Sequence, residues 1–238
     1  MVSLLLAWYR RFGRDLPWRR TTDRYSILVS EVMLQQTQVD RVVPRYLAWL
    51  ERWPTPEALA AAPAGDVIRE WQGLGYNRRA LALHRAAQAI AAEGWPDDLT
   101  MLPGVGPYTA AALRNFALGE DVLPRDVNVD RVGRRTGHRF TGAAAQALMD
   151  LGATICVARI PRCDACPLAG VCPSRGTRDE PARKQSRFEG SFRQRRAVVL
   201  RTVAAMPRNL AALDTEAVAA LARDGLVVVD AGLVRLPA

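Results

Sequence analysis

Apolar residues recur at helical spacing along most of the first 172 residues, whereas the alternation that is typical of strands is rare. Residues 25–37 predict a strongly apolar helix, and residues 1–9 predict an N-terminal helix that runs into Arg10 and Arg11. The clearest amphipathic pattern places five residues on one helix face: Leu83, Ala86, Ala87, Ile90 and Ala91. The pattern therefore predicts an all-α protein over this part of the chain.

The segment 101–108, Met-Leu-Pro-Gly-Val-Gly-Pro-Tyr, interrupts the helical pattern, and Pro107 is suited to begin the next helix. Gly104 and Gly106 allow backbone angles that other residues avoid and let the main chain approach a ligand closely. The free N–H groups at the start of the following helix form a natural phosphate site. This pattern favours a hairpin that grips the DNA backbone, and the alternative is a plain turn between two helices.

The composition changes after residue 173. Residues 174–194 are polar and basic and predict a linker. Residues 195–238 predict two helices followed by a β-hairpin over 226–236, which together resemble a small winged-helix unit. We expect this basic tail to add phosphate contacts that do not depend on DNA sequence.

The chain carries 33 basic and 24 acidic residues, a net charge of +9, which favours a polyanionic partner such as nucleic acid. The alternative is a codon bias toward Arg and Ala. Lys184 is the single Lys, and the other 32 basic residues are Arg. Because an Arg side chain stays protonated, Lys184 is the one side chain that could act as an amine nucleophile. No run of about 18 apolar residues predicts a membrane span, and no signal peptide is recognisable, so we expect a cytoplasmic, nucleoid-associated protein.

Four cysteines occur within a short segment at the spacing C-x6-C-x2-C-x5-C: Cys156, Cys163, Cys166 and Cys172. Disulfides are the weaker interpretation without a secretion signal. Zinc sites usually combine two short Cys pairs, and this segment contains one C-x2-C with longer arms. The spacing favours a [4Fe–4S] cluster and leaves zinc as the alternative.

Two carboxylates lie in contrasting surroundings. Glu31 is flanked by apolar residues, and burial there favours its protonated form, which can donate a proton. Asp126 precedes a predicted helix, where an N-capping carboxylate stays ionised. A proton donor beside an anion is the pairing that cleaves a bond through an oxocarbenium-like state. The alternatives are an exposed helix Glu and an ordinary N-cap.

Taken together, these features resemble the helix–hairpin–helix DNA glycosylases related to endonuclease III, and among them the MutY-type adenine glycosylases. The resemblance spans residues 14–172 in the family's order and rests on six segments: Arg14-Asp-Leu-Pro-Trp-Arg19, Ser30-Glu-Val-Met-Leu-Gln-Gln-Thr37, Gly73-Leu-Gly-Tyr76, Leu102-Pro-Gly-Val-Gly106, Asp126-Val-Asn-Val129 and the four-cysteine loop. The second segment and the cysteine spacing are the most specific of the six.

The resemblance implies a two-lobed, all-α fold. Residues 23–120 would form a six-helix barrel with the helix–hairpin–helix, and residues 1–22 with 121–173 would form the domain that holds a [4Fe–4S] cluster. The implied partner is double-stranded DNA with a mismatch, bound by a monomer that flips the target base out of the helix. We expect the chain to lack the MutT-like C-terminal domain of full-length relatives.

The resemblance also implies roles for individual residues. Glu31 would protonate the adenine ring and later activate water, Asp126 would stabilise the positive charge on the sugar, and Tyr108 and Asn128 would orient these groups. The remaining matches contact DNA or substrate: Arg14, Leu16 and Trp18 match the wall of the adenine pocket, Gln36 and Tyr76 match residues that wedge into the DNA helix, and Gly104 and Gly106 belong to the hairpin.

Relatives that also cleave the strand have a Lys at the position of Tyr108, so the resemblance implies a monofunctional enzyme. It would release adenine opposite guanine or 8-oxoguanine and leave an abasic site. Two alternatives stay open: a glycosylase for T or U opposite G, and a non-catalytic DNA-binding protein. The chain departs from the family at Val127, where relatives have Gly, and at Asp130.

Overall fold

The computed structural model describes residues 1–180 and 187–238, and most of its regular structure is helical. The helices are α1 (Val2–Phe12), α2 (Arg24–Leu34), α3 (Val39–Arg52), α4 (Pro56–Ala60), α5 (Ala64–Glu70), α6 (Arg78–Glu93), α7 (Pro107–Phe116), α8 (Val127–Thr136), α9 (Ala145–Thr154), α10 (Phe192–Ala205) and α11 (Thr215–Arg223). Three short strands, β1 (Arg208–Asn209), β2 (Val228–Asp230) and β3 (Leu233–Arg235), form an antiparallel sheet in the order β1-β3-β2. The all-α prediction and the C-terminal hairpin are confirmed, and β1 is an addition.

The predicted helix over 25–37 is too long at its C-terminal end. Helix α2 ends at Leu34, and Gln36 adopts a left-handed backbone with a φ of 58°. The guanidinium of Arg79 lies at this end of the helix, where it donates to the main-chain oxygens of Val32 and Met33 in the last turn. On α6, four of the five predicted core residues are buried, whereas Ala91 is exposed.

The chain divides into two compact units. The first consists of Met1–Ile27 and of the chain from Gly106 up to the undescribed segment. In this unit α9 packs against α1 and α8. Its core contains mainly aliphatic side chains, namely Leu5, Val129, Val132, Ala144, Ala147, Leu148, Leu151 and Leu168.

The second unit consists of Leu28–Val105 and of the chain after the undescribed segment. Helix α4 packs on α6, and the Thr55 hydroxyl caps α4 by accepting a 3.2 Å hydrogen bond from the Ala58 N–H. The Trp49 ring meets the rings of Trp53 and Trp71 edge-on, at centroid distances of 4.7 and 5.5 Å.

The C-terminal residues belong to the core of this second unit. Ile68 of α5 and Leu81 of α6 are buried together with Val199, Leu200, Val203, Val218, Leu221, Leu226, Val234 and Leu236. Helix α10 begins at Phe192, three residues before the predicted start at 195, because the Ser191 hydroxyl caps it. Residues 181–186 of the predicted linker, Lys184 among them, lie outside the described residues. The predicted domain boundaries stay predictions.

Candidate active site

Asp126 caps the N-terminus of α8, as the sequence predicts. One of its carboxylate oxygens accepts hydrogen bonds from the N–H groups of Asn128 and Val129, at 2.9 and 2.7 Å. The other oxygen accepts a 2.9 Å hydrogen bond from the Asn128 side-chain amide. Three N–H donors and the positive end of the helix dipole therefore face one half-buried carboxylate, an arrangement that stabilises a negative charge.

Arg131, one turn along α8, continues this hydrogen-bond chain. It donates at 2.7 Å to the amide oxygen of Asn128 and at 2.7 Å to the main-chain oxygen of Cys156. The same guanidinium donates to the main-chain oxygen of Gly152. A Cβ on Gly152 would lie 2.7 Å from the Cβ of Asn128, so α8 and α9 approach too closely here for any larger residue. Helix packing thus helps to hold Asn128 beside Asp126.

The four cysteines, each half-buried, line a single pocket with Val132, Leu151, Ile155 and Leu168. Burial raises the pKa of the Cys166 thiol, a main-chain hydrogen bond at Leu168 opposes this, and the other three thiols raise the pKa further. Arg135 donates to the Cys156 sulfur at 3.4 Å and to the main-chain oxygen of Val157 at 3.0 Å. Within the described part of the chain, no group of three or more His, Cys, Asp or Glu side chains is arranged to hold a metal ion.

The segment with the predicted adenine-pocket residues is anchored by one buried acid. Asp150 on α9 accepts hydrogen bonds from the N–H and Nε of Arg14 and from both terminal nitrogens of Arg19, all between 2.7 and 2.8 Å. Burial alone would raise the pKa of Asp150, but the hydrogen bonds and charges of Arg19 and Arg14 lower it overall. Leu16 and Trp18, between these two arginines, are buried.

Glu31 lies in the middle of α2 with 6% of its surface exposed, between Ser30 and Val32, which are fully buried. The predicted burial of this acid is confirmed. Glu31 belongs to the second unit, whereas Asp126, Asn128 and Tyr108 belong to the first. Tyr108 is half-buried in the first turn of α7.

The residues predicted to wedge into DNA lie on two loops of the second unit, 35–38 and 71–77, which we call the wedge loops. Gln36 and Tyr76 are exposed, and both adopt left-handed backbone angles, with φ values of 58° and 47°. Arg79 contacts both loops, since it donates to the main-chain oxygens of Gln35 and Gly75 at 2.6 and 2.9 Å.

Of the two predicted hairpin glycines, Gly104 has a backbone conformation and a close neighbour that require glycine, and Gly106 has neither. Gly104 has a φ of 81°, and a Cβ there would lie 2.8 Å from the Cβ of Ala82 on α6. Its main-chain oxygen accepts a 3.3 Å hydrogen bond from the Gln35 side chain. Gly106 immediately precedes α7, has ordinary backbone angles and leaves open space where a Cβ would be. Pro107 is the first residue of α7, as predicted.

Sequence reasoning missed three residues of this region: Arg79, Arg131 and Asp150. Asp150 could have been recognised, because it is a single acid in an apolar helix, Ala-Leu-Met-Asp-Leu-Gly-Ala. Arg131 lies one helical turn after Asn128, a weaker signal. No local pattern distinguishes Arg79 from its neighbour Arg78, whose side chain is 77% exposed.

The chain belongs to the HhH-GPD superfamily of base excision DNA repair proteins, whose family model matches residues 29–152. It is 43% identical to the adenine DNA glycosylase of Mycobacterium tuberculosis, with 82% of this chain and 76% of that protein covered. It is 37% identical to the adenine DNA glycosylase of Homo sapiens, with 72% of this chain and 38% of that protein covered.

Among solved structures, a thermostable thymine-DNA glycosylase superimposes with a TM-score of 0.66 and 28% sequence identity, covering 73% of this chain and 94% of that one. These likenesses confirm the predicted family. In the described residues, no helix has both the length and the apolar character that crossing a membrane requires.

Proposed function

We propose that this chain is a monofunctional DNA glycosylase that hydrolyses the N-glycosidic bond of adenine mispaired with guanine or 8-oxoguanine in duplex DNA. The observation that carries the proposal is the Asp126 carboxylate, which accepts three N–H hydrogen bonds at the start of α8. A fixed anion of this kind stabilises the positive charge that develops on the sugar as the bond to the base breaks.

Glu31 supplies the proton in this proposal. Glu31 lies in the middle of α2 and is almost fully buried, and burial favours the protonated form of a carboxyl group. Protonating a ring nitrogen lets adenine leave with the electron pair of the glycosidic bond. The resulting carboxylate then removes a proton from the water that adds to the sugar.

Tyr108 is central to the proposal that base release occurs without strand cleavage. A lyase step needs an amine that forms a Schiff base with the opened sugar, and a Tyr hydroxyl cannot do this. The part of the chain that the structure describes contains no Lys, and Lys184 lies outside it. The product would therefore be an abasic site in an intact strand.

Cys156, Cys163, Cys166 and Cys172 would hold a [4Fe–4S] cluster. Their thiols line one pocket, and their spacing, C-x6-C-x2-C-x5-C, favours this cluster, with zinc as the alternative. The cluster would cross-link a segment with little regular structure of its own, and no step of base release requires it. The exposed Arg159 and Arg162 of this segment would contact DNA phosphates.

A second candidate is excision of thymine or uracil opposite guanine. The likeness to a thermostable thymine-DNA glycosylase favours it. The higher identity to adenine DNA glycosylases and the Glu31 segment favour adenine.

Single-turnover base release from defined duplexes tests the proposal. The substrates are A opposite G, 8-oxoguanine, C and T, together with T and U opposite G. We expect release of adenine opposite G and 8-oxoguanine, with strand breaks only after alkali treatment. Release of T or U alone, or a covalent protein–DNA adduct trapped by borohydride, would contradict it.

A further inference from the structure

We propose that Arg79 is a positioning residue that sets the backbone of both wedge loops and thereby controls extrusion of the target base from the DNA helix. This inference rests on the proposed function, in which Gln36 and Tyr76 enter the DNA at the mismatch. Arg79 itself lies beneath the loops and is not expected to touch the reacting atoms.

The hydrogen bonds of Arg79 are divided between the two loops. Toward the first loop and the end of α2, Nη1 donates to the main-chain oxygens of Val32, Met33 and Gln35, at 2.8, 2.9 and 2.6 Å. Nη2 donates to the Thr37 hydroxyl at 2.9 Å. Toward the second loop, Nη2 donates to the main-chain oxygens of Leu74 and Gly75, at 3.3 and 2.9 Å.

Ring contacts reinforce this arrangement. The guanidinium carbon of Arg79 lies 5.2 Å from the ring centre of Trp71 and 5.6 Å from that of Tyr76. The Trp71 ring N–H also donates to the main-chain oxygen of Gly75 at 3.0 Å. Arg79 therefore contacts the side chain of one wedge residue and the main-chain oxygen immediately before the other.

Both wedge residues have backbone angles that need such support. A left-handed conformation costs a residue other than Gly about 1–3 kcal/mol and persists only where its surroundings impose it. Gln36 and Tyr76 both adopt it, and Gly73 and Gly75 of the second loop also have positive φ. Without the shared donor, each loop can relax to an ordinary backbone conformation, and the side chains of Gln36 and Tyr76 then change position.

The environment of Arg79 explains why another cation cannot replace it fully. Burial lowers the pKa of Arg79 to about 10, with Tyr76 opposing the change, so the side chain remains charged at neutral pH. Its hydrogen-bond partners among the described residues are main-chain oxygens and the Thr37 hydroxyl. A Lys offers three donors from one point, whereas the planar guanidinium offers five in a fan that reaches both loops.

Arg79→Gln and Arg79→Lys test the inference, with Arg78→Gln as the matched control. Arg78 is the neighbouring residue, carries the same charge and has a mostly exposed side chain. Base release from an A opposite G duplex is expected to fall about tenfold to a hundredfold for Arg79→Gln, since small misplacements at such sites cost this much. The rate of base release by Arg79→Lys is expected to lie between those of Arg79→Gln and the wild type. The rate of Arg78→Gln is expected to match that of the wild type.

A double-mutant cycle separates positioning from a general loss of structure. The Arg79 substitutions are repeated in a Gln36→Ala/Tyr76→Ala background, where the wedge side chains are already absent. If Arg79 acts through them, its substitution there has almost no further effect. An equal loss in both backgrounds, or Arg79 variants that match Arg78→Gln, would overturn the inference.

Base extrusion is followed in parallel with a duplex that carries 2-aminopurine in place of the target adenine. Its fluorescence rises when the base leaves the stack, and the rise is expected to be smaller with Arg79→Gln than with Arg78→Gln. An unchanged rise would also overturn the inference. If wild-type protein released no adenine, the proposed function would fail, and the extrusion signal would still test Arg79.

Discussion

The guanidinium of Arg131 donates a 2.7 Å hydrogen bond to the amide oxygen of Asn128. An Arg has donors only, so the Asn128 amide must present its oxygen to Arg131 and its nitrogen to Asp126. Arg131 is 9% exposed and also donates to the main-chain oxygens of Gly152 and Cys156. The orientation of the proposed catalytic anion therefore depends on a residue that also contacts the cysteine loop.

Replacing Arg131 by Met is expected to slow base release about tenfold to a hundredfold, because Asn128 loses the partner that orients it. The main-chain oxygens left without donors also lower the free energy of unfolding, by about 2 kcal/mol. Single-turnover kinetics and urea unfolding measure the two effects. Arg134→Met is the control, because Arg134 lies on the same helix with its side chain 63% exposed. Equal rates for the two variants would show that Arg131 does not orient the site.

Replacing Glu31 by Gln keeps the shape of the side chain and removes its proton. Base release is expected to fall by a factor on the order of 10² or more, since proton transfer typically contributes this much. Binding to an A opposite G duplex is expected to persist, because Glu31 is buried and contributes little to DNA contacts. Wild-type turnover by this variant would remove Glu31 from the mechanism.

The lowered pKa of Asp150 predicts how the free energy of unfolding depends on pH. Its pKa is lowered in the folded protein, so its contribution is complete above the usual carboxyl pKa of about 3.9 and is lost as the pH falls through the lowered value. At neutral pH, Asp150→Asn is expected to cost about 3 kcal/mol, because Arg19 loses a buried partner. Urea unfolding of both proteins from pH 7 to pH 2 should show this difference shrinking in acid. A difference that stays constant would mean that the Asp150 charge is not its source.

Purified protein is expected to be yellow-brown and to contain about four irons per chain, the stoichiometry of the proposed cluster. Cys166→Ser is expected to lower the iron content. It is also expected to weaken DNA binding, because the segment that presents the exposed Arg159 and Arg162 becomes less ordered. Iron analysis, absorption spectra and binding titrations measure these effects. Stoichiometric zinc without iron after anaerobic preparation would contradict the cluster assignment.

The C-terminal tail is expected to stabilise the second unit as well as to bind DNA. Leu200 on α10 is fully buried, and Leu200→Ala is expected to lower the free energy of unfolding by about 3 kcal/mol. Val198→Ala is the control, because Val198 is 52% exposed and its loss should change stability by less than about 0.5 kcal/mol. Equal unfolding curves would mean that the tail packs loosely.

The phosphate contacts proposed for the tail require charges that are not already paired. Arg195 pairs with Asp214 and Glu216, and Arg196 pairs with Asp224, so these two have less charge to offer DNA. Truncation after Arg175 is expected to flatten the salt dependence of binding and to lower stability together. An unchanged salt slope would restrict the tail to a packing role.

Much of the candidate site could be predicted from local patterns. The N-cap at Asp126, the buried Glu31, Pro107 at the start of α7 and most of the packing face of α6 depend on neighbours a few positions away. Such neighbours follow from helix geometry alone, so the sequence by itself determined the helical class, the starts of α7 and α8 and the chemistry available to the site.

The tertiary structure decided which polar groups meet. Arg78 and Arg79 are indistinguishable in the sequence, yet Arg78 is largely exposed, whereas Arg79 joins the adjacent wedge loop to Gln35, 44 positions earlier in the chain. Asp150 likewise holds Arg14 from 136 positions away. The periodicity of apolar residues predicts which face of a helix is buried but does not predict which segment covers that face. The partners of a buried charge are selected by the packing of distant segments, because burial is tolerated only where enough donors and acceptors converge.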